Sequence, residues 1–148
     1  MTCESFRTAY AAAATSSENW NAHLHSCSAC RAWYEGERAR ACGIDPARHP
    51  CAHVAYRIAW SCKQHEDPWE CPDATLVYSP RFDEYGIPVR DGGQSYVHIS
   101  HCPWCGIRLP ESKRERWFAE LETRGIEDPF LSDGIPEAYL DDKWWRHR

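Results

Sequence analysis

The pattern of apolar and polar positions predicts a helix from about Thr15 to Ala41. The run from Thr15 to Glu18 has the form of a capping box, and Gly43 follows as a helix stop. The residues that share a helical face at this spacing are Trp20, Leu24 and Cys27, followed by Cys30, Trp33 and Tyr34. The N-terminal part of the chain is therefore predicted to be helical.

Beyond residue 50 the pattern changes to short apolar runs separated by turn residues. Residues 51–62 are ambiguous between helix and strand, and a helix is favoured. The three predicted strands are residues 75–78, 87–90 and 95–100. A glycine-rich turn at 91–94 joins the last two strands, and a helix follows at 111–124. Trp144 and Trp145 would be costly to leave in water, so the C-terminal tail is expected to pack back onto the domain.

These elements predict an α+β fold with a short three-stranded antiparallel sheet and helices, preceded by a helical segment. Turn and breaker residues between 43 and 50 separate the two parts. The predicted boundaries are a helical segment at 1–48 and a second domain at 51–148.

The charge balance argues against a general binder of phosphate backbones. The net charge is −5, whereas a protein of that class carries a basic excess. Residues 1–61 carry six arginines against five acids, so a local basic face remains open there. The arginines that would form this face are Arg31, Arg38, Arg40, Arg48 and Arg57.

The nine cysteines are interpreted as reduced thiols and metal ligands. Met1 to Ser17 contains no long apolar stretch, so neither a secretory signal nor a membrane span is predicted there. The expected location is the cytoplasm, without membrane association. Zn²⁺ is the expected metal, as one or two ions, because cysteine and histidine are its usual ligands.

The strongest metal motif is Cys102-Pro-Trp-Cys105-Gly106, which has the form of a zinc knuckle. A second pair of ligands is expected upstream, among Cys62, His65 and Cys71. In a three-stranded meander, the start of the first strand and the end of the third lie at opposite edges, roughly 20 Å apart. Cys71, before the first strand, would then be too far from Cys102, after the third. The preferred set is therefore Cys62, His65, Cys102 and Cys105, with Cys71 as the alternative to His65. This domain is expected to be stabilised by zinc.

The second metal motif is His23-x3-Cys27-x2-Cys30 in the N-terminal helix. Its three side chains follow one another at helical spacing and can occupy three corners of a tetrahedral site. The sequence leaves the fourth ligand open. The candidates are Cys3, Cys42 and Cys51.

Catalytic motifs give little support to an enzyme. Cys102 and Cys105 follow a strand as in a glutaredoxin, but Gly106 and Pro110 would break the helix that such redox chemistry requires. The pair Asp83 and Glu84 is interpreted as turn and surface acids instead of a general acid–base pair. A metalloenzyme would need an open coordination position, which four ligands exclude.

Two resemblances add to this interpretation. His23-x3-Cys27-x2-Cys30 resembles the fingerprint of zinc-binding anti-sigma factors, which implies protein binding and metal release on thiol oxidation. A second set of segments lies in the second part of the chain: Cys62-x2-His65, Cys71-Pro72-Asp73, Phe82–Ile87, Asp91–Gly93, Cys102–Gly106, Leu109-Pro110-x-Ser112, Trp117-Phe118 and Trp144-Trp145. Together these segments resemble a small domain family of unknown function from bacteria and phages, which implies a body similar to a zinc ribbon.

The function predicted from these observations is a non-catalytic zinc-binding module that interacts with a protein or regulates one. The acidic balance and the tryptophan-rich tail favour a protein partner. A nucleic-acid-binding zinc ribbon is the alternative, and its binding would weaken steeply with salt.

Overall fold

The computed structural model describes residues 1–12, 18–59 and 62–146. The chain divides into two compact units, residues 1–61 and 62–148, whereas the sequence predicted a division near residue 50. The described residues form helices and one three-stranded antiparallel sheet, so the α+β prediction is confirmed. None of the helices in these ranges is both long and apolar enough to cross a bilayer.

The described residues of the first unit form four α-helices and a short 3-10 turn at Pro46–Arg48. The α-helices are α1 (Cys3–Ala11), α2 (Glu18–Ser26), α3 (Ser28–Ala41) and α4 (Ala52–Ile58). The stop at Gly43 is confirmed, since this residue has a φ of 82° directly after α3 and its C-cap. The capping box predicted from Thr15 lies largely outside the described residues.

The prediction of one continuous helix up to Ala41 was wrong at Cys27, which separates α2 from α3. Cys27 has extended backbone angles, φ −118° and ψ 98°. Its N–H still donates to the carbonyl of His23 (2.8 Å), and its own carbonyl accepts from the N–H of Arg31 (3.0 Å). The break between α2 and α3 therefore involves one residue and costs few backbone hydrogen bonds. No glycine or proline marks it in the sequence, which explains why the apolar periodicity did not reveal it.

An aromatic cluster holds the first three helices together. Phe6 on α1 is fully buried and packs edge-on against Trp20 of α2, with ring centroids 5.4 Å apart. Trp33 of α3 lies 6.0 Å from the same ring. Helix α1 was missed from the sequence, although Thr2 and Ser5 form a capping box at its start. Short helices of this kind depend on tertiary packing for their stability.

The second unit contains the predicted three-stranded meander. The strands are β1 (Val77–Ser79), β2 (Glu84–Pro88) and β3 (Tyr96–His98), paired antiparallel in the order β1-β2-β3. The predicted turn at 91–94 lies between β2 and β3, where Val89 N–H donates to the Ser95 carbonyl at 2.8 Å. The strand prediction is confirmed in number and order, with boundaries shifted by a few residues.

Helices α5 (Arg114–Glu122) and α6 (Lys143–Arg146) complete the second unit. Its main core cluster consists of Phe82, Trp117, Leu121, Tyr139 and Trp144. The docking of the tail is confirmed. The indole N–H of Trp144 donates to the Arg81 carbonyl at 2.8 Å, and that of Trp145 donates to the Pro80 carbonyl at 2.9 Å.

Asp83 and Glu84 are buried anchors, so their interpretation as surface acids was wrong. Their residues are only 7% and 3% exposed. Asp83 accepts a hydrogen bond from the hydroxyl of Tyr78 (2.9 Å) and pairs with Lys113. Glu84 pairs with Arg114 at the start of α5. Both carboxylates thus tie the start of β2 to the beginning of that helix.

Candidate metal centres

In the first unit, four metal-ligating side chains converge from three helices and the junction between two of them. Cys3 begins α1, His23 lies in the last turn of α2, Cys27 is the junction, and Cys30 lies in the first turn of α3. One ligand atom from each lies within 4.8 Å of all the others. This group is called the N-terminal cluster below.

The distances in the N-terminal cluster fit tetrahedral zinc. Two sulfurs bound to one zinc at about 2.3 Å each lie about 3.8 Å apart. The Sγ atoms of Cys3 and Cys27 are separated by 3.7 Å. In addition, Nε2 of His23 is buried and has no hydrogen-bond partner among the described residues. A buried nitrogen of this kind is costly unless another group binds it, and a metal would do so. The side chains present therefore fit a metal ion.

The pKa values of Cys27 and Cys30 are shifted in opposite directions. Burial raises the pKa of Cys30 to about 11. The backbone amide of Cys30, followed by the side chain of Cys3, lowers the pKa of Cys27. The cluster thus favours a thiolate at Cys27 and disfavours one at the buried Cys30. A divalent cation would supply the positive charge that a second and third thiolate need.

Among the three candidates for the fourth ligand, the structure brings Cys3 to the N-terminal cluster. Cys42 is the C-cap of α3, twelve residues beyond Cys30, which corresponds to about 18 Å along a helix. It is exposed and does not reach the cluster. Cys51 is the N-cap of α4 in the same unit and is not part of the cluster either. The signal that could have selected Cys3 is the capping box of α1, which places this cysteine in a helical first turn.

In the second unit, Cys62, His65 and Cys71 form a group of three ligands whose atoms lie within 4.8 Å of one another. Nδ1 of His65 lies 3.3 Å from Sγ of Cys62. The backbone N–H of Gln64 donates to the same sulfur at 3.4 Å. This amide, followed by the side chain of His65, lowers the pKa of Cys62 to about 7. A thiol whose pKa is lowered in this way forms a thiolate more readily, and the thiolate is the form that binds metals.

The four-ligand set preferred from the sequence is not assembled in this structure. Cys62 and His65 lie with Cys71, and neither Cys102 nor Cys105 belongs to their group. The reason is local: Cys71 begins the turn before β1, which brings it near Cys62, whereas Cys102 follows β3 at the other edge of the sheet. Cys71, the predicted alternative to His65, therefore lies together with both Cys62 and His65.

The predicted knuckle turn at Cys102–Gly106 is present. The Gly106 N–H donates to the Cys102 carbonyl at 2.9 Å, and the Cys102 N–H donates to the Ile107 carbonyl at 2.9 Å. Gly106 has a φ of 73°, which residues with a side chain rarely adopt. Cys102 is buried, whereas Cys105 is exposed. The turn geometry therefore agrees with a knuckle, and metal binding by the pair stays a prediction.

Comparison with known proteins gives one match. Residues 48–147 match the family described as Domain of unknown function (DUF6980). No curated protein and no solved structure matches the chain. The matched segment contains Cys51, Cys62, Cys71, Cys102 and Cys105, and it leaves out the helices that carry the N-terminal cluster. Because the match covers well over half of the sequence, the chain belongs to this family of domains of unknown function and adds to it a helical segment with its own candidate metal centre.

Proposed function

We propose that the protein is a non-catalytic, zinc-stabilised module that interacts with a partner protein or regulates one. The observation that carries this proposal is the N-terminal cluster, in which four candidate ligand atoms lie within 4.8 Å of one another. Zinc with four protein ligands has no open position for a substrate or water and is structural. As the resemblances imply, the proposed setting is the cytoplasm of a bacterium or of a phage-infected cell.

We propose two zinc ions, one in each unit. The N-terminal cluster would hold the first. Cys62, His65 and Cys71 would hold the second, in a body that resembles a zinc ribbon. Cys51, Cys102 and Cys105 stay predicted ligands. Three protein ligands also occur in catalytic zinc sites, so the second centre alone would not exclude an enzyme.

The arginines of the first unit support a protein partner over nucleic acid. Arg31 and Arg57 both approach the buried carboxylate of Glu35, at 3.6 and 4.0 Å. Arg40 pairs with Glu37. Three of the five arginines considered for a basic face are therefore close to carboxylates of the same unit, which reduces their attraction for phosphates. The acidic net charge also favours a protein partner over nucleic acid.

The metal content tests the two-zinc proposal. The double variant Cys27→Ser, Cys30→Ser is expected to lose one zinc per chain and to keep the other. Zinc per chain would be measured by inductively coupled plasma mass spectrometry after gel filtration. The matched control is Cys42→Ser, which removes an exposed thiol outside the described clusters and should retain both ions. Loss of both ions from the double variant would contradict independent centres.

The nature of the partner is tested by affinity capture. A tagged, zinc-loaded chain is expected to retain a stoichiometric protein from a lysate of the source organism, with or without nuclease treatment. Retention should persist at high salt, because it would not depend on phosphate contacts. Capture that disappears with nuclease, together with steeply salt-dependent binding to DNA or RNA, would reverse the proposal in favour of the nucleic-acid-binding alternative.

A further inference from the structure

The second unit contains an open cleft of about 640 Å³ near the end of β1 and the start of β3. Its lining is rich in aromatic side chains: Trp69, Tyr78, Phe82 and Tyr96. Phe130 and Leu140 also line it, and these two large apolar residues are 61% and 49% exposed. Exposed apolar side chains beside an aromatic cleft are typical of a surface that receives another molecule.

Two arginines line the cleft, and one of them is neutralised within the unit. Arg114 donates from Nε to Oε1 of Glu84 at 3.0 Å and from Nη2 to Oε2 at 2.7 Å. Its Nη2 also lies 2.8 Å from the hydroxyl of Tyr96. The hydrogen bonds with Glu84 raise the pKa of Arg114. This guanidinium is therefore a fixed part of the wall.

The other arginine, Arg81, lies over aromatic rings and, among the described residues, not against a carboxylate. Its guanidinium lies 5.7 Å from the ring of Phe82 and 5.4 Å from that of Trp117. Within residues 1–12, 18–59 and 62–146, its side chain has no carboxylate partner, and no aspartate or glutamate lines the cleft. Burial, and then the charge of Arg114, lower the pKa of Arg81. A half-buried cation in this position would be stabilised by an anion in the cleft.

We propose that this cleft binds a peptide segment of a partner protein, with an acidic side chain of the segment against Arg81 and its apolar side chains against the aromatic wall. The inference rests on the proposed interaction function and specifies its partner chemistry. A guanidinium donates to a carboxylate in a paired, directional geometry, and aromatic walls accept apolar and aromatic side chains.

The charge of the second unit favours a single carboxylate over a nucleic acid strand. Residues 62–148 carry eleven lysines and arginines against seventeen acidic residues. A polyanion would be repelled by this surplus over distances of about 8 Å at physiological salt. A single carboxylate, in contrast, can be bound through its attraction to the nearby charge of Arg81 alone.

The probes are two matched pools of blocked tetrapeptides, acetyl-X-Asp-X-X-amide and acetyl-X-Asn-X-X-amide, with X drawn from leucine, phenylalanine, tyrosine and tryptophan. They would be titrated into the full, zinc-loaded, ¹⁵N-labelled chain, with the indole N–H resonance of Trp69 as the readout. The aspartate pool is expected to shift this resonance with an affinity about ten-fold or more above that of the asparagine pool. Equal affinities, or no shift with either pool, would overturn the proposal without requiring any variant.

Two variants locate the effect. Arg81→Gln is expected to abolish the preference for aspartate. The control is Arg124→Gln, because the guanidinium of Arg124 also lies over an aromatic ring, that of Tyr139 at 5.1 Å, but outside the cleft. This control should keep the preference. Loss of the preference in both variants, or in neither, would overturn the assignment to Arg81.

The remaining outcomes separate this inference from the proposed function. A shift of the Trp69 resonance by single-stranded oligothymidylate, abolished by Arg81→Gln and absent with both peptide pools, would overturn the peptide in favour of a phosphate ligand. A cellular partner captured equally by the native chain and by Arg81→Gln would overturn the cleft while leaving the interaction function intact. Reduced capture by Arg81→Gln, with two zinc ions retained, would support both.

Discussion

Replacing Cys30 with serine is expected to release the metal from the first unit and to unfold α1–α3. Cys30 is fully buried and packs in one cluster with Phe6 and Trp20. Structural zinc contributes about 10–16 kcal/mol of apparent free energy in small domains, which is as large as the whole stability of many proteins. The aromatic contacts of Phe6 are therefore not expected to hold three short helices together without the ion.

The measurement is hydrogen exchange read by mass spectrometry, combined with zinc content. In Cys30→Ser, amides of α1–α3 are expected to exchange at least about a hundred-fold faster, whereas those of α5 should keep their protection. Cys42→Ser is the matched control, since it makes the same chemical change on an exposed residue at the end of α3. Unchanged protection of α1–α3 in a Cys30→Ser variant that has lost one zinc per chain would show that the metal does not stabilise this unit.

The parts of the fold that sequence analysis predicted correctly are those set by local chemistry. Gly43 and Gly106 both have positive φ values, and each had been identified as a helix stop or a turn position from its neighbours alone. The three strands were predicted because turn residues separate them at short intervals. Local conformational preference decided these features, so the sequence was sufficient.

The features that sequence analysis missed depend on contacts between distant parts of the chain. The break at Cys27 costs few hydrogen bonds and has no local marker, and it lies where His23, Cys30 and Cys3 come together. Glu84 looked like a surface acid because its partner, Arg114, lies thirty residues downstream. A buried carboxylate is tolerable only when such a partner is present, and no spacing rule predicts it.

The ligand sets illustrate the same distinction. His23, Cys27 and Cys30 were found because they lie close together along the chain. The choice of Cys3 required a helix whose stability comes from Phe6 packing against Trp20 and Trp33. The grouping of Cys62 with Cys71 depended on where the turn before β1 lies relative to the sheet. The motifs therefore indicated which side chains are candidate ligands, and tertiary structure decides which of them meet.

Replacing Trp117 with alanine is expected to lower the free energy of unfolding of the second unit by about 3–5 kcal/mol. Trp117 is fully buried at the centre of the core cluster. Its ring packs edge-on against Phe82 at 5.2 Å and Phe118 at 5.0 Å. Its indole N–H donates to the carbonyl of Tyr139 at 2.9 Å, which holds the C-terminal segment against α5. Alanine would leave a cavity and would also remove this buried hydrogen bond.

The variant Trp117→Phe separates these two contributions. It keeps most of the aromatic packing and removes the donor to Tyr139, so a smaller loss of about 1–3 kcal/mol is expected. Urea dependence of hydrogen exchange in α5 measures the free energy of opening of this unit without assuming that both units unfold together. Exchange in α1–α3 should stay unchanged in both variants. If Trp117→Ala lowered the opening free energy of α5 by less than about 1 kcal/mol, the core would not be centred on this residue. If the two variants were equally destabilised, the larger cavity left by alanine would add nothing to the loss already caused by phenylalanine.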